Sequence, residues 1–266
     1  MKKNQILTFI LSTLLYIPIQ YTMAGLDGSF NMIAFSVYVL VVFLSAFGFN
    51  VDATKSLCGS PQWTTSAVGT IVPWGVIFGS VIVLLMFFSG WLSPFANTFG
   101  YGVVALTGAS SLVTDILKPV SGDANASKVE EAVATIYGDK SLFINQIPWN
   151  IDEFVEFWKT SRPLFRKSVA DASNTDQAIM GLLEDPSSLA RRALNMARMR
   201  MYTSLFVWYV LAGTLAASAA SAFCADQGCE YSAAQLDKMH QDYLSDEKRA
   251  AEERDKNPER VYTTND

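Results

Sequence analysis

Acidic and basic side chains are missing from long stretches of this chain. None lies between Asp27 and Asp52, between Lys55 and Asp115, or between Arg200 and Asp226. Only 17% of the 266 residues are charged while 50% are hydrophobic, and the charge is concentrated between the apolar blocks. A soluble core creates no such segregation. A bilayer does, because a charge at its centre costs roughly 2.5 to 3.5 kcal/mol even on the lenient insertion scale.

Histidine and cysteine are nearly absent too. The three cysteines cannot all pair, and a zinc site built on Cys224, Cys229 and the single histidine, His240, lacks a fourth ligand. Free thiols are expected; the alternative is a small disulfide between Cys224 and Cys229, close in sequence, if that end meets an oxidising compartment, while Cys58 is remote. The catalytic signatures sought are missing: no Gly-x-Ser-x-Gly elbow, Walker loop or His-Glu-x-x-His occurs. Gly100-Tyr-Gly102-Val-Val-Ala105 matches a loose dinucleotide pattern but lies inside an apolar block, where its glycines serve helix packing. Neither catalytic residues nor cofactors are therefore expected. The net charge of −5 argues against nucleic acid as a partner.

What is present reads as an all-α, multi-pass membrane protein of about four to five spans. Residues 1–24 form either a retained first span or a signal-like segment, with Lys2 and Lys3 leading an apolar run weakened by Pro18 and Gln20. Residues 25–117 hold the charge-free spans Phe30 to Phe49 and Ser66 to Leu92, and a more polar block from Phe95 to Leu117. In that block Gly100, Val103, Thr107, Ser110 and Thr114 are expected to face other helices, with Val104, Leu112 and Ile116 toward lipid; a re-entrant segment is the rival. Trp74 and Trp91 suit headgroup-level anchoring. Gly90-Trp91-Leu92-Ser93-Pro94-Phe95 stops one helix and turns the chain, so Trp91, Phe95, Phe99 and Tyr101 are expected to form an aromatic platform around Pro94.

Residues 118–200 read as a helical soluble insert. Ser127 with Glu130 predicts a capping box, Asn150 with Glu153 a second, and Asp185-Pro186 the start of a helix that runs into the last span. Phe143, Trp149, Phe154, Phe157, Trp158 and Phe165 are its core or docking surface. The sequon Asn125-Ala-Ser127 lies here as well. The last span, 201–223, carries Gly213, Ala217 and Ser221 at four-residue steps, a face suited to close helix packing. Residues 224–266 form a charged tail with a helix over Ser232 to Lys256 and a narrow apolar strip of Leu236, Met239, Tyr243 and Leu244.

Positive charge favours the cytoplasmic side. With Lys2 and Lys3 there and five crossings, Lys55 and the insert fall inside and the tail outside; an even number would return the tail inside. Arg191, Arg192, Arg198 and Arg200, just before the last span, either set topology or also bind anionic headgroups.

Two stretches, VPWGVIF followed by GWLSPFANTFGY within Ile71 to Tyr101 and SLFINQI at Ser141 to Ile147, resemble an uncharacterised multi-pass membrane-protein family of nucleocytoplasmic large DNA viruses, the giant and algal viruses. The likeness runs from the second span to the middle of the insert. It implies a component of the virion internal membrane, in host endomembrane during assembly, whose soluble parts touch capsid or core proteins. It supplies no catalytic residues. The expected function is a non-enzymatic structural scaffold with the bilayer, other membrane or capsid proteins and a further copy of itself as partners. The alternative is a channel or membrane-permeabilising protein.

Overall fold

The computed structural model describes residues 2–23, 28–120, 127–229, 231 and 233–256. Asn125 of the sequon lies outside them. Helices carry nearly all of this structure: α1 (Lys2–Met23), α2 (Gly28–Cys58), α3 (Trp63–Phe87), α4 (Ser89–Leu106), α5 (Ala109–Ile116), α6 (Lys128–Gly138), α7 (Ser141–Ile144), α8 (Ile151–Ser161), α9 (Lys167–Ala172), α10 (Asp176–Glu184), α11 (Leu189–Asp226) and α12 (Ala233–Lys256). Among the described residues the one β feature is an isolated bridge between Leu117 and Phe165.

Four helices, α1, α2, α3 and α11, contain stretches long and apolar enough to cross a bilayer. The 25 residues of α3 span about 37 Å at 1.5 Å per residue, against a hydrocarbon core of roughly 30 Å. The 38 residues of α11 reach about 57 Å, so a large part of it stands outside. The four pack as alternating antiparallel neighbours. Along α1 and α11, Gln5 meets Ser221, Phe9 meets Gly213 and Tyr21 meets Tyr202. Between α2 and α3 the Asn50 amide donates to the Thr70 hydroxyl at 2.8 Å, and the Thr54 and Ser66 hydroxyls lie 3.1 Å apart. Such polar pairs hold helices together where burial against lipid supplies no hydrophobic force. The centre is filled by aromatic rings: Phe9 against Trp74 and Phe78 edge-on, Tyr16 stacked on Tyr38 at 4.1 Å, and Tyr38 near Tyr209. Leu15, Met32, Ile33, Leu40 and Val76 point outward, as lipid allows and water disfavours.

The insert has its own core. Leu112, Val113, Ile116, Phe143, Phe154, Trp158, Phe165, Ile179 and Leu194 are all buried in it, whereas Trp149 is 40% exposed. Its caps are local chemistry. The Ser127 hydroxyl accepts from the Glu130 amide while Glu130 accepts from the Ser127 amide at 2.7 Å, completing the capping box. Asn150 caps α8 by accepting from the Asp152 amide. The cap of α11 is Ser188, which accepts from the Arg191 amide at 3.0 Å; Asp185 serves the preceding turn. Arg166 donates to the carbonyls of Thr114 and Leu117, fixing the end of α5 to the loop before α9.

The stretch from Phe95 to Leu117 departs from expectation. Helices α4 and α5 together are long and apolar enough for a span but meet at an 86° bend, where Gly108 takes φ +96°. Val104, Leu112 and Ile116, expected to face lipid, are at most 1% exposed: the end of α4 packs Val104 into the insert core, and α5 turns into the insert and adds Leu112 and Ile116. Ser110 and Asp115 lie on the surface instead.

A disulfide joins Cys58 to Cys229, with Cα atoms 5.4 Å apart. Neither a Cys224–Cys229 pair nor three free thiols is found: Cys229 pairs with Cys58, and of the three cysteines Cys224 stays free. Cys224 is still on α11 and buried toward Gly69 of α3, while Gly228 (φ +71°) reverses the chain after the helix and carries Cys229 to the end of α2. The bond also corrects the five-crossing arrangement. Two linked residues lie on the same side, so the chain crosses an even number of times between Cys58 and Cys229. Helices α3 and α11 provide two crossings, and a third through α4–α5 would break the parity. The end of α2 and the root of the tail thus share one side, and the insert lies on the other.

Candidate functional site

The junction between bundle and insert is built on α11. Its first third packs into the insert core through Ala190, Ala193, Leu194 and Ala197, and the same helix enters the bundle through Met201, Tyr209, Ala212 and Ala216. No hinge separates them.

The four arginines divide into different roles here. Arg200 is buried and reaches across to the insert, donating to the carbonyls of Ile144 and Ile147 and to the Asn145 side chain. Those carbonyls end α7 and the turn after it; the Ile144 carbonyl also accepts from the Ile147 amide at 3.3 Å, and the guanidinium supplies the donor of the Ile147 carbonyl. Arg191 donates to the Leu183 carbonyl at 3.0 Å, tying α10 to α11. Arg192 is exposed. Arg198 is 7% exposed, and among the described residues it has no hydrogen bond or ion pair. The ionisable groups acting on it are Arg191, Tyr202 and Tyr21. Away from the junction, the Asp185 carboxyl is held below the usual aspartate range by hydrogen bonds from Ser187.

One helical turn along α11 from Arg198, at Tyr202, runs an apolar groove of about 510 Å³ between α1, α4 and α11. Leu14, Ile17 and Val207 line its inner part; Tyr21, Tyr202 and Met199 line the end nearest the insert.

The aromatic hairpin is held to the same helix. Trp91 stacks with Trp208 at 6.1 Å, and the Trp208 indole donates to the Trp91 carbonyl at 2.9 Å. Phe95 meets Trp208 edge-on at 5.0 Å and Phe99 at 5.9 Å, while the Ser204 hydroxyl donates to the Leu92 carbonyl at 2.6 Å. Pro94 sits in the first turn after a short 3-10 segment, where its missing N–H costs nothing. Tyr101 leaves this cluster and packs against the insert core. Gly100 lies so close to the Arg200 carbonyl that a Cβ would come within 2.5 Å of it.

Trp74 is a further correction. Expected at the headgroup level, it is 4% exposed in the centre of the bundle. Pro73 provides no N–H, and the following residues, Trp74–Gly79, form a π-helical stretch whose wider turn directs Trp74 and Phe78 inward. Trp63, 61% exposed beside Phe47 at the disulfide end, takes the position suited to an interface. Of the small-residue face, Gly213 abuts the Phe9 ring, Ala217 is fully buried and the Ser221 hydroxyl donates to the Gln5 side-chain oxygen at 3.1 Å.

Sequence reasoning missed Ser204, Trp208, Arg166 and the groove. One signal was available: Arg198 and Tyr202 are four residues apart, on one helix face. The tail helix α12 is exposed over its described length, including Leu236, Met239, Tyr243 and Leu244. Among the described residues no three His, Cys, Asp or Glu side chains group as metal ligands. In comparisons with known proteins, no family model, curated protein or solved structure matches the chain.

Proposed function

We propose that this chain is a non-enzymatic integral-membrane scaffold that joins a bilayer to a protein layer beside it. The observation that carries this reading is α11, one uninterrupted helix whose residues belong to the insert core at one end and to the membrane bundle at the other. A strut of that kind transmits position and force from one phase to the other. Its rigidity comes from two packed cores and from the Arg200 bridge to α7.

The finer reading follows the resemblance stated above: the bilayer is the internal membrane of a large DNA virus, and the insert meets capsid or core proteins. A disulfide persists in an oxidising compartment, so the Cys58–Cys229 end and the tail face the lumen during assembly. The insert and its arginines then face the cytoplasm, in agreement with the positive-inside rule as applied to the last span. Lys2, Lys3 and Lys55 lie on the opposite side and count against that rule, but three scattered lysines do not offset a disulfide.

The test is fractionation of purified particles. A structural membrane component stays with the particle through salt and alkaline carbonate and leaves with non-ionic detergent. Absence from particles defeats the virion reading, and release by carbonate alone defeats the membrane reading. A channel is the competing function. The aromatic packing of Phe9, Trp74, Phe78 and Tyr209 through the bundle favours the scaffold. Voltage-dependent conductance from the reconstituted chain would reverse that preference.

A further inference from the structure

Arg198 is 7% exposed as a residue, has no hydrogen bond or ion pair among the described residues, and has a second cation, Arg191, acting on it. It lies one helical turn before Tyr202, which lines an apolar groove, so its guanidinium is left for an anion to pair with. The described ion pairs, Lys159 with Asp176 and Arg249 with Asp246, are elsewhere.

The neighbouring groove supplies the other half of a site. Its wall on α1 runs from Leu14 to Tyr21 and its wall on α11 from Val207 to Met199, each about 10 to 12 Å along the helix axis. Phe99 and Val103 of α4 close the third side. The groove therefore lies parallel to the spanning helices, apolar toward the bilayer interior, with Tyr21 and Tyr202 at its outer end and Arg198 one helical turn before Tyr202. That outer end is level with the last turns of α1, where the chain leaves the membrane and the insert begins.

We infer that the groove between α1, α4 and α11 holds one acyl chain of an anionic phospholipid, whose phosphate pairs with Arg198 while Tyr21 and Tyr202 donate to it. The match is one of charge and of direction. A zwitterionic headgroup brings its own cation to the two arginines, whereas an anionic one leaves the negative charge free to neutralise them. The bound lipid fills the surface shared by α1, α4 and α11, which links the first span to the junction. This inference rests on the membrane reading above and deepens it by naming the lipid class recognised.

The test uses the full-length chain purified in a neutral detergent, with phosphatidylglycerol and phosphatidylcholine of identical acyl chains as probes and native mass spectrometry as the readout. Phosphatidylglycerol is expected to bind at least about fivefold more tightly, the effect of one basic residue at a charged membrane surface. Arg198→Gln should bring the two lipids within twofold of each other, and Arg192→Gln, at the exposed arginine, should leave the preference intact. Val103→Trp, which fills the groove and spares every arginine, should weaken both lipids and keeps the test decisive if Arg198→Gln fails to fold. Glycerol 3-phosphate should not compete. Equal binding of the two lipids by the unaltered chain, a preference that survives Arg198→Gln, or binding unaffected by Val103→Trp overturns the proposal. Competition by glycerol 3-phosphate as strong as that by the lipid reassigns the site to a soluble anion and overturns it too. Release from membranes by carbonate is a separate result, which would remove the membrane reading itself.

Discussion

Replacing Gly213 with alanine tests the bundle at its tightest point. A Cβ at this position overlaps the Phe9 ring, and Phe9 has little freedom to withdraw because Trp74 and Phe78 pack edge-on against it. Overpacking of a filled core costs about 1 to 3 kcal/mol. Any glycine-to-alanine change in a helix also gains about 1 kcal/mol of propensity, which would mask part of that cost. Gly48→Ala supplies the reference, since a Cβ there meets nothing within 4 Å. The propensity gain cancels between the two variants, so Gly213→Ala should be less stable than Gly48→Ala by about 1 to 3 kcal/mol. Unfolding in mixed micelles of rising dodecyl sulfate content, followed by far-ultraviolet circular dichroism, measures the difference. Shortening the ring with Phe9→Leu should then rescue Gly213→Ala, with a coupling of at least about 1 kcal/mol in the double-mutant cycle. If the two alanine variants are equally stable, or Phe9→Leu and Gly213→Ala add within about 0.5 kcal/mol, the α1–α11 packing described here is wrong.

Other outcomes follow from the same geometry. Arg200→Met leaves the Ile147 carbonyl without its donor and the Ile144 carbonyl with only the Ile147 amide, and should destabilise the insert by about 1 to 3 kcal/mol, read by thermal unfolding of the detergent-solubilised chain. Cys229→Ser opens a cross-link between residues 171 apart and should lower stability by up to about 5 kcal/mol in the chain-entropy description; Cys224→Ser leaves that cross-link in place, and non-reducing electrophoresis after limited proteolysis separates the two. Ser188→Ala removes the cap of α11 and should cost about 0.5 to 2 kcal/mol, measurable as faster hydrogen exchange from Arg191 onward. The Asp185 carboxyl, held down by Ser187, contributes its stabilisation above the ordinary aspartate range and loses it as pH falls through the depressed folded value. Ser187→Ala should move that titration midpoint back up in a nuclear magnetic resonance titration of the side chain.

The sequence determined this protein's material class. Charge-free blocks of about 20 residues or more, such as Phe30 to Phe49, are long and apolar enough to span a bilayer, and recognising them needs no tertiary contact. The capping box at Ser127 was equally legible, because its partners are three residues apart. The Gly213, Ala217 and Ser221 face was visible as spacing, although its partner, α1, was not. What remained hidden depends on residues far apart in the chain. Composition alone cannot distinguish an apolar helix crossing a bilayer from one buried in a protein core, since both exclude water; Val104, Leu112 and Ile116 look the same in either setting. The bend at Gly108 decided it. Nor can spacing identify a disulfide that joins the end of α2 to the root of the tail, because pairing follows from where two helices end in space. That pairing fixed the parity of the crossings, and with it the side on which the insert lies. The position of Arg198 one helical turn from the groove is of the same kind. Four arginines in a row along a helix are one feature in sequence, but packing makes one a cap, one a tie, one a surface charge and one a largely buried residue with no partner among the described residues.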